Sequence, residues 1–184
     1  MSKNELEKIL DLPTTLSYKE RVEELQQIII DNFGPDVDVA EEGKVVVYPT
    51  ETKYNHYFSS GLYVREMSCE KGYLGFTGIH NTANPLFLMK GKVAFSTEDG
   101  IEELTAPTFV FTKPGTKRIV YWVEDSIIVT VHPNPNGLTD LDELEKMVCS
   151  STWEQYDKSF ESDTWDMVEH KEYRKKIDEN EKNK

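Results

Sequence analysis

A mainly β chain, one antiparallel barrel or jelly roll with helical segments at both ends, is predicted by three observations. Between residues 44 and 131, short runs rich in β-branched and aromatic side chains recur: KVVVY, GLYVREM, NPLFLMKGKVAFS, TFVFT, RIVYWV and SIIVTV. Hairpin-type residues separate several of them, at Lys90-Gly91, Glu98-Asp99-Gly100 and Pro114-Gly115. Helical periodicity is confined to the flanks. Closing such a sheet on itself would remove its exposed edges.

Taken in order, the first strong element is a helix over residues 17–33. Val22, Leu25, Ile28 and Ile29 fall at helical spacing, Ser17 with Glu20 three residues on reads as a capping box, and Gly34-Pro35 is the stop. A shorter helical pattern spans residues 3–10. The strands follow, with Tyr54 and His56 assigned to a polar loop before GLYVREM. After His132 the sequence PNPNG breaks the sheet, and residues 139–148 read as a helix capped by Thr139 with Asp142 in its first turn. Trp153, Tyr156 and Phe160 recur at helical spacing, and the charged stretch from residue 173 reads as a frayed tail. The domains expected are a helical segment 1–43, a barrel 44–133 and a helical, charged extension 134–184.

With 184 residues the chain is long enough for one sizeable core. Twenty-one Lys and Arg against 34 Asp and Glu give a net charge of -13, which repels phosphate backbones and anionic membranes. Neither duplex nucleic acid nor a membrane is an expected partner. No apolar run reaches the ~20 residues of a membrane span, and the first residues lack the pattern of a signal peptide, so a cytoplasmic location is expected. The two cysteines, Cys69 and Cys149, show no metal-type spacing and read as reduced, buried thiols.

Residues 72–91, GYLGFTGIHNTANPLFLMKG, resemble the first motif of the cupin family, G-x5-H-x-H-x3-E-x6-G. Both flanking glycines, Gly72 and Gly91, fall in register. The family's first His is Gly78, its second is His80, and its Glu is Asn84. The second motif, G-x5-P-x-G-x2-H-x3-N, has a weaker counterpart in residues 107–122, where Gly115 keeps the turn glycine, Pro114 lies one place from the family proline, the metal-binding His is Arg118 and the Asn is Trp122. The resemblance covers about half of the chain and implies a jelly-roll barrel that pairs with other copies of itself.

A transition metal needs three or four imidazole or carboxylate donors converging at about 2.0 to 2.2 Å. One ligand of three remains in the first motif, and a guanidinium at position 118 would repel a cation, so no metal and no cofactor is expected. Strand alternation would still turn Gly78, His80, Asn84, Arg118 and Trp122 inward. One forked cation, an imidazole, an amide and an aromatic wall suit a small anionic ligand with a planar ring. Arg65, sharing a strand face with Tyr63 and Met67, would add a second cation, and convergence of Arg65 and Arg118 would favour a nucleotide. Thr130 and His132 share a face that could reach the same pocket.

Each of these residues also has a plainer reading. His80 reads equally as a hydrogen-bonded barrel residue, Arg118 as a rim partner of Glu124 or Asp125, His132 as a strand cap, and Trp122 and Tyr63 first as core. No nucleophile elbow or phosphate loop is present. The blocks GLYVREM, ELTAPTFVFTKPGTKRIVYWVEDSIIVTVHPN and TDLDELE further resemble small cupin-domain proteins of tailed bacteriophages. That resemblance implies the cytoplasm of an infected cell, and by analogy the sequestration of a nucleotide-type host immune signal. Binding of a small anion without turnover is the first functional expectation. The alternatives are a cupin enzyme, with metal held by His56 or His132 beside His80 or a metal-free lyase or isomerase, and a structural or host-protein-binding module.

Overall fold

A computed structural model describes residues 16–33, 37–39, 45–47 and 52–159. The helical pattern expected over residues 3–10 and the tail from residue 160 lie outside these. Helix α1, Tyr18–Phe33, begins as its sequence requires: the Glu20 carboxylate accepts from Ser17 N (2.8 Å), and Ser17 Oγ accepts from Glu20 N (3.3 Å). Its buried stripe is Val22, Leu25 and Ile29, with Ile28 left at the rim.

The strands are β1 (Val37–Val39), β2 (Val45–Val47), β3 (Lys53–Ser59), β4 (Gly61–Cys69), β5 (Leu74–Phe76), β6 (Ile79–His80), β7 (Asn84–Lys90), β8 (Lys92–Thr97), β9 (Gly100–Thr105), β10 (Thr108–Thr112), β11 (Ile119–Trp122), β12 (Ser126–Asn134) and β13 (Cys149–Ser150). Helices α2, Leu141–Val148, and α3, Trp153–Lys158, flank β13. The six-stranded sheet runs β1-β2-β5-β11-β8-β9 and the five-stranded sheet runs β10-β7-β12-β4-β3, while β6 and β13 form a separate pair. Without the added strands β1, β2 and β3, the chain passes back and forth between two four-stranded sheets, β10-β7-β12-β4 and β5-β11-β8-β9, staying in one sheet only for the β8–β9 hairpin. Its first strand pairs with its last along nine residues. That order is the jelly roll.

Alternation along each strand divides the side chains. On β12, residues 126, 128, 130, 132 and 134 are all buried, and their neighbours are not. Cys69, Tyr73, Leu88, Val93, Phe95, Leu104, Trp122 and Ile128 fill one half of the interior. Leu74, Phe76, Ile119 and Tyr121 point the other way, out of the six-stranded sheet, and are covered by the stripe of α1. The Tyr18 hydroxyl fastens that helix by donating to the Lys117 carbonyl at 2.8 Å.

Several local expectations are corrected. Tyr54 and His56 lie in a strand, β3, paired along its length with β4. It is an edge strand, so polar residues at 53 and 55 are tolerated and mask its period. Strand β9 carries glutamates at 102 and 103 and shows little of the apolar signal that marked the other runs. Strand β12 continues through Pro133 to Asn134. Beyond residue 130 it pairs only with β4, so a proline there breaks no ladder on its other side. Helix α2 is capped by Asp140, whose carboxylate accepts from Glu143 N at 3.0 Å, and not by Thr139. Gly91, the second motif glycine, has φ +83°, and a Cβ there would lie 2.3 Å from the Asp125 carbonyl oxygen, so only glycine fits this hairpin.

The outer face of the five-stranded sheet is apolar over β10, β7 and β12, while β4 and β3 carry Glu66, Lys53 and Asn55 on it. Phe109 and Phe111 on β10 and Met89 on β7 are 58%, 66% and 58% exposed, and Phe87 and Phe109 pair across the strands with rings 6.0 Å apart. Among the described residues no helix is long and apolar enough to cross a membrane.

Truncating the α1 stripe should separate buried from rim positions. Leu25→Ala is expected to cost about 2 to 4 kcal/mol in urea unfolding and Ile28→Ala less than about 1.5 kcal/mol, because Leu25 is 2% exposed and Ile28 36%.

Candidate functional site at the polar end of the barrel

The interior changes character along the barrel axis. Around Trp122, Leu88 and Ile128 it is apolar. Toward the other end the inward positions become Thr130 and His132 on β12, Asn84 on β7, Thr112 on β10 and Arg118 just before β11, all but Arg118 fully buried. Strand pairing sets Asn84 directly opposite Thr112, and Arg118 Nη1 donates to Thr112 Oγ1 at 2.8 Å. The guanidinium also lies over the Phe95 ring, 4.9 Å from its centroid.

Arg118 is the electrostatic centre of this end. Burial lowers its pKa, opposed by the nearby Tyr18 and Glu102, yet it stays a cation at any physiological pH. No carboxylate of the described residues forms an ion pair with it, and Glu124 and Asp125, its rim partners on the plainer sequence reading, are exposed. Asn84, 1% exposed, has hydrogen-bond partners at neither its amide oxygen nor its amide nitrogen. Buried amide atoms are as a rule bonded, so an unfilled pair beside a buried cation marks a place built for something else.

His80 and His132 form the mouth of this end. Their rings lie nearly parallel, 8° apart, with centroids separated by 6.5 Å. His132 Nε2 is 3.0 Å from Thr130 Oγ1, and Tyr63 stacks on its ring at 5.8 Å. The Tyr63 hydroxyl hydrogen-bonds His56 Nδ1 at 2.8 Å. The Cys149 sulfur lies 4.0 Å from His80 Nδ1. Among the described residues no group of three or more His, Cys, Asp or Glu is gathered to hold a metal ion. Gly78, at the family's first His position, is buried and bears no side chain. The other cysteine, Cys69, lies in the apolar half, where burial pushes its thiol up to about 11 and keeps it protonated at neutral pH.

The chain between α2 and α3 closes the mouth, and little in the sequence announces it. Leu144, Val148 and Cys149 pack on Tyr63. Asn81 ties the strap down: its Nδ2 donates to the Lys146 and Met147 carbonyls, both at 3.2 Å, and its Oδ1 accepts from Ser150 Oγ at 2.7 Å. Arg65 does not turn toward Arg118. Its Nη1 donates to Glu145 Oε2 of α2 at 2.9 Å, with both side chains largely buried. Strand β4 is also three strands away from β10, roughly 14 Å across the sheet.

The structure thus brings Arg118, Asn84, His80 and His132 to one end of the barrel, with Tyr63 at its wall. Trp122 lies elsewhere, four residues from Arg118 along the strand, about 13 Å, and edge-to-face with Tyr73 at 4.8 Å. Thr112, Asn81 and Cys149 are the participants that sequence reasoning missed. For Thr112 a signal existed, since inward alternation through TFVFT ends on it. For Asn81 and Cys149 none did, because their roles come from the β6–β13 pairing of segments 69 residues apart.

No family profile and no curated protein sequence matches the chain. Solved structures similar to it include cupin-domain proteins. A cupin-2 domain protein from Shewanella frigidimarina shares 13% identity over 45% of this chain and 80% of its own, with a TM-score of 0.39. An acetylacetone dioxygenase from Acinetobacter johnsonii shares 16% over 58% and 77%, with a TM-score of 0.41. A cupin superfamily protein from Desulfitobacterium hafniense shares 8% over 46% and 81%, with a TM-score of 0.39. The jelly-roll fold itself is carried by the strand order of this chain.

The tie between the strap and β4 is measurable. A double-mutant cycle on Arg65→Ala and Glu145→Ala should give a coupling of about 1 kcal/mol or more in denaturant unfolding, against about 0.3 kcal/mol for the exposed Lys158–Glu154 pair of α3.

Proposed function

We propose that this protein is a cupin-like binder of a small anionic ligand, held without turnover at the polar end of its barrel. The observation that carries the reading is Arg118, a largely buried guanidinium with no ion-pair partner among the described residues, on the same end of the barrel as an Asn84 amide whose two ends are unfilled. Desolvation of a largely buried cation is unfavourable, and an accompanying anion offsets it. Thr112 orients the guanidinium, and His80 and His132 supply ring nitrogens that can donate or accept according to their tautomers. Trp122 belongs to the apolar half and stacks on no ligand in this reading.

The finer form of the proposal is a phage-encoded protein acting in the host cytoplasm and sequestering a nucleotide-type signal. Its support is the resemblance of the blocks GLYVREM, ELTAPTFVFTKPGTKRIVYWVEDSIIVTVHPN and TDLDELE, and it calls for a second cation at the site. Arg65 could serve only after its bond to Glu145 opens, so a small single-charged acid fits the closed arrangement better than a nucleotide. A second reading, acid-base catalysis, draws on the parallel His80 and His132 rings. Ligand consumed on incubation would favour it over binding.

Native mass spectrometry of the purified protein should show a small anion that is lost, or held about tenfold or more weakly, in Arg118→Ala. Stoichiometric metal that survives this substitution would overturn the reading and favour a metal-dependent enzyme.

The expected homo-oligomer has a surface that suits it. The outer face of the five-stranded sheet presents Phe109, Phe111, Met89, Phe87, Val129 and Val131 with no charged side chain among them, on a chain of net charge -13. The patch is apolar over β10, β7 and β12, with Glu66 of β4 at its border opposite Val129, and a second copy offers the same flat apolar face for sheet-on-sheet packing. The apolar part spans three strands, about 10 Å across by about 20 Å along them, the size of the centre of a standard interface of about 800 Å² per partner rather than of the whole. Sedimentation velocity should report a dimer that becomes a monomer in Phe109→Glu; a wild-type monomer at micromolar concentration would count against the second copy.

A further inference from the structure

The proposed anion site at Arg118 has a second recognition element, and its chemistry is specific. Asn84 offers an N–H donor and a C=O acceptor side by side, both fully buried and both without a partner. A simple anion satisfies one of them at most, the Nδ2 donor. What satisfies both is a group with the reverse pattern, a C=O beside an N–H, as in a primary amide, a lactam or the edge of a cyclic imide. Two parallel hydrogen bonds of this kind are the way Asn and Gln read a base edge.

The spacing between the two elements limits the ligand. Arg118 Nη1 is 2.8 Å from Thr112 Oγ1, and Thr112 is the direct cross-strand neighbour of Asn84, which sets their Cβ atoms about 5 Å apart. A molecule reaching from the guanidinium to the amide across that step has a carboxylate separated from its amide edge by only one to three atoms. A phosphate joined to a base through a sugar is too long for this span. The strap of α2 and β13 closes over the same end, with Asn84 at 1% and His132 at 0% exposure, which also selects a compact ligand.

We infer that the ligand is a small carboxylic acid bearing an amide-type edge, its carboxylate on Arg118 and its adjacent C=O and N–H on Asn84. The inference rests on the anion-binding reading above and adds the identity of the neutral half. The order of events follows from the enclosure: the strap opens, the acid enters, and the tie between Arg65 and Glu145 re-forms above it.

Equilibrium dialysis overnight, so that a slow strap does not hide binding, tests this on the full chain with succinamate and 5-oxoproline as probes. Butyrate, which has the carboxylate and no amide edge, and inorganic phosphate and adenosine monophosphate are the controls. At least one probe is expected to bind about tenfold or more tightly than butyrate, Arg118→Gln to lose both, and Asn84→Leu to bring probe and butyrate to equal affinity. Should Asn84→Leu fail to fold, Asn84→Asp, an acceptor only and itself an anion, is expected to reject the probes. Equal binding of butyrate and both probes to the wild type would overturn the amide element and leave anion binding standing. Binding of phosphate or the nucleotide alone would overturn this inference in favour of a phosphorylated ligand. If no anion binds at millimolar concentration, both readings fall and the polar end holds water only.

Discussion

Nine residues of β4 lie antiparallel to nine of β12, and the barrel exists because of this pairing. It joins the first strand of the jelly roll to the last, so the core between the sheets cannot form until the chain has folded over most of its length. It also fixes what faces what. With Tyr63 opposite His132 and Arg65 opposite Thr130, a slip of β12 by one residue would turn Thr130, His132 and the rest of its buried column to the outer face. The bulge near Ile127, where β12 shifts register against β7, confines any irregularity to the apolar end and leaves the polar end in regular alternation.

That register produces an interior with two halves of different physical kinds. The apolar half is closed by side chains in contact, Trp122 against Tyr73 and Phe95 within the same cluster. The polar half is held by directional bonds between elements distant in sequence, among them Arg118 to Thr112 and Ser150 to Asn81. Polar networks in a low-dielectric interior are strong when complete and costly when not. Here the network is complete at Asn81, whose amide is bonded at both ends, and incomplete at Asn84, whose amide is bonded at neither. The contrast locates the site more sharply than any single residue does.

The strap gives that site its enclosure. Helix α2 contributes a well-formed cap at Asp140 and an apolar pair, Leu144 and Val148, that neither sheet could supply. Because Asn81 sits next to His80, the groups that fasten the strap and the groups that line the mouth belong to one short segment. Displacing the strap would therefore disturb His80 directly, through Asn81 and through the Cys149 pairing.

Local signals were sufficient for the elements whose reasons are local. Ser17 and Glu20 cap α1, Gly91 occupies a turn no other residue fits, and the alternation through SIIVTV, continued to His132, turned out to be the buried column of β12. By itself the sequence determined a mainly β jelly roll with helices at its ends, and the inward direction of His80, Asn84 and Arg118. Strand β3 was hidden because an edge strand can carry polar residues on either face, and the partner of Arg65 was hidden because Glu145 is 80 residues away. Only the tertiary structure decided that Arg65 is tied to the strap, and that Cys149 and Asn81 close the mouth. Those outcomes depend on which long-range neighbours share a low-dielectric space, and periodicity along the chain reports the direction of a side chain but not what it meets.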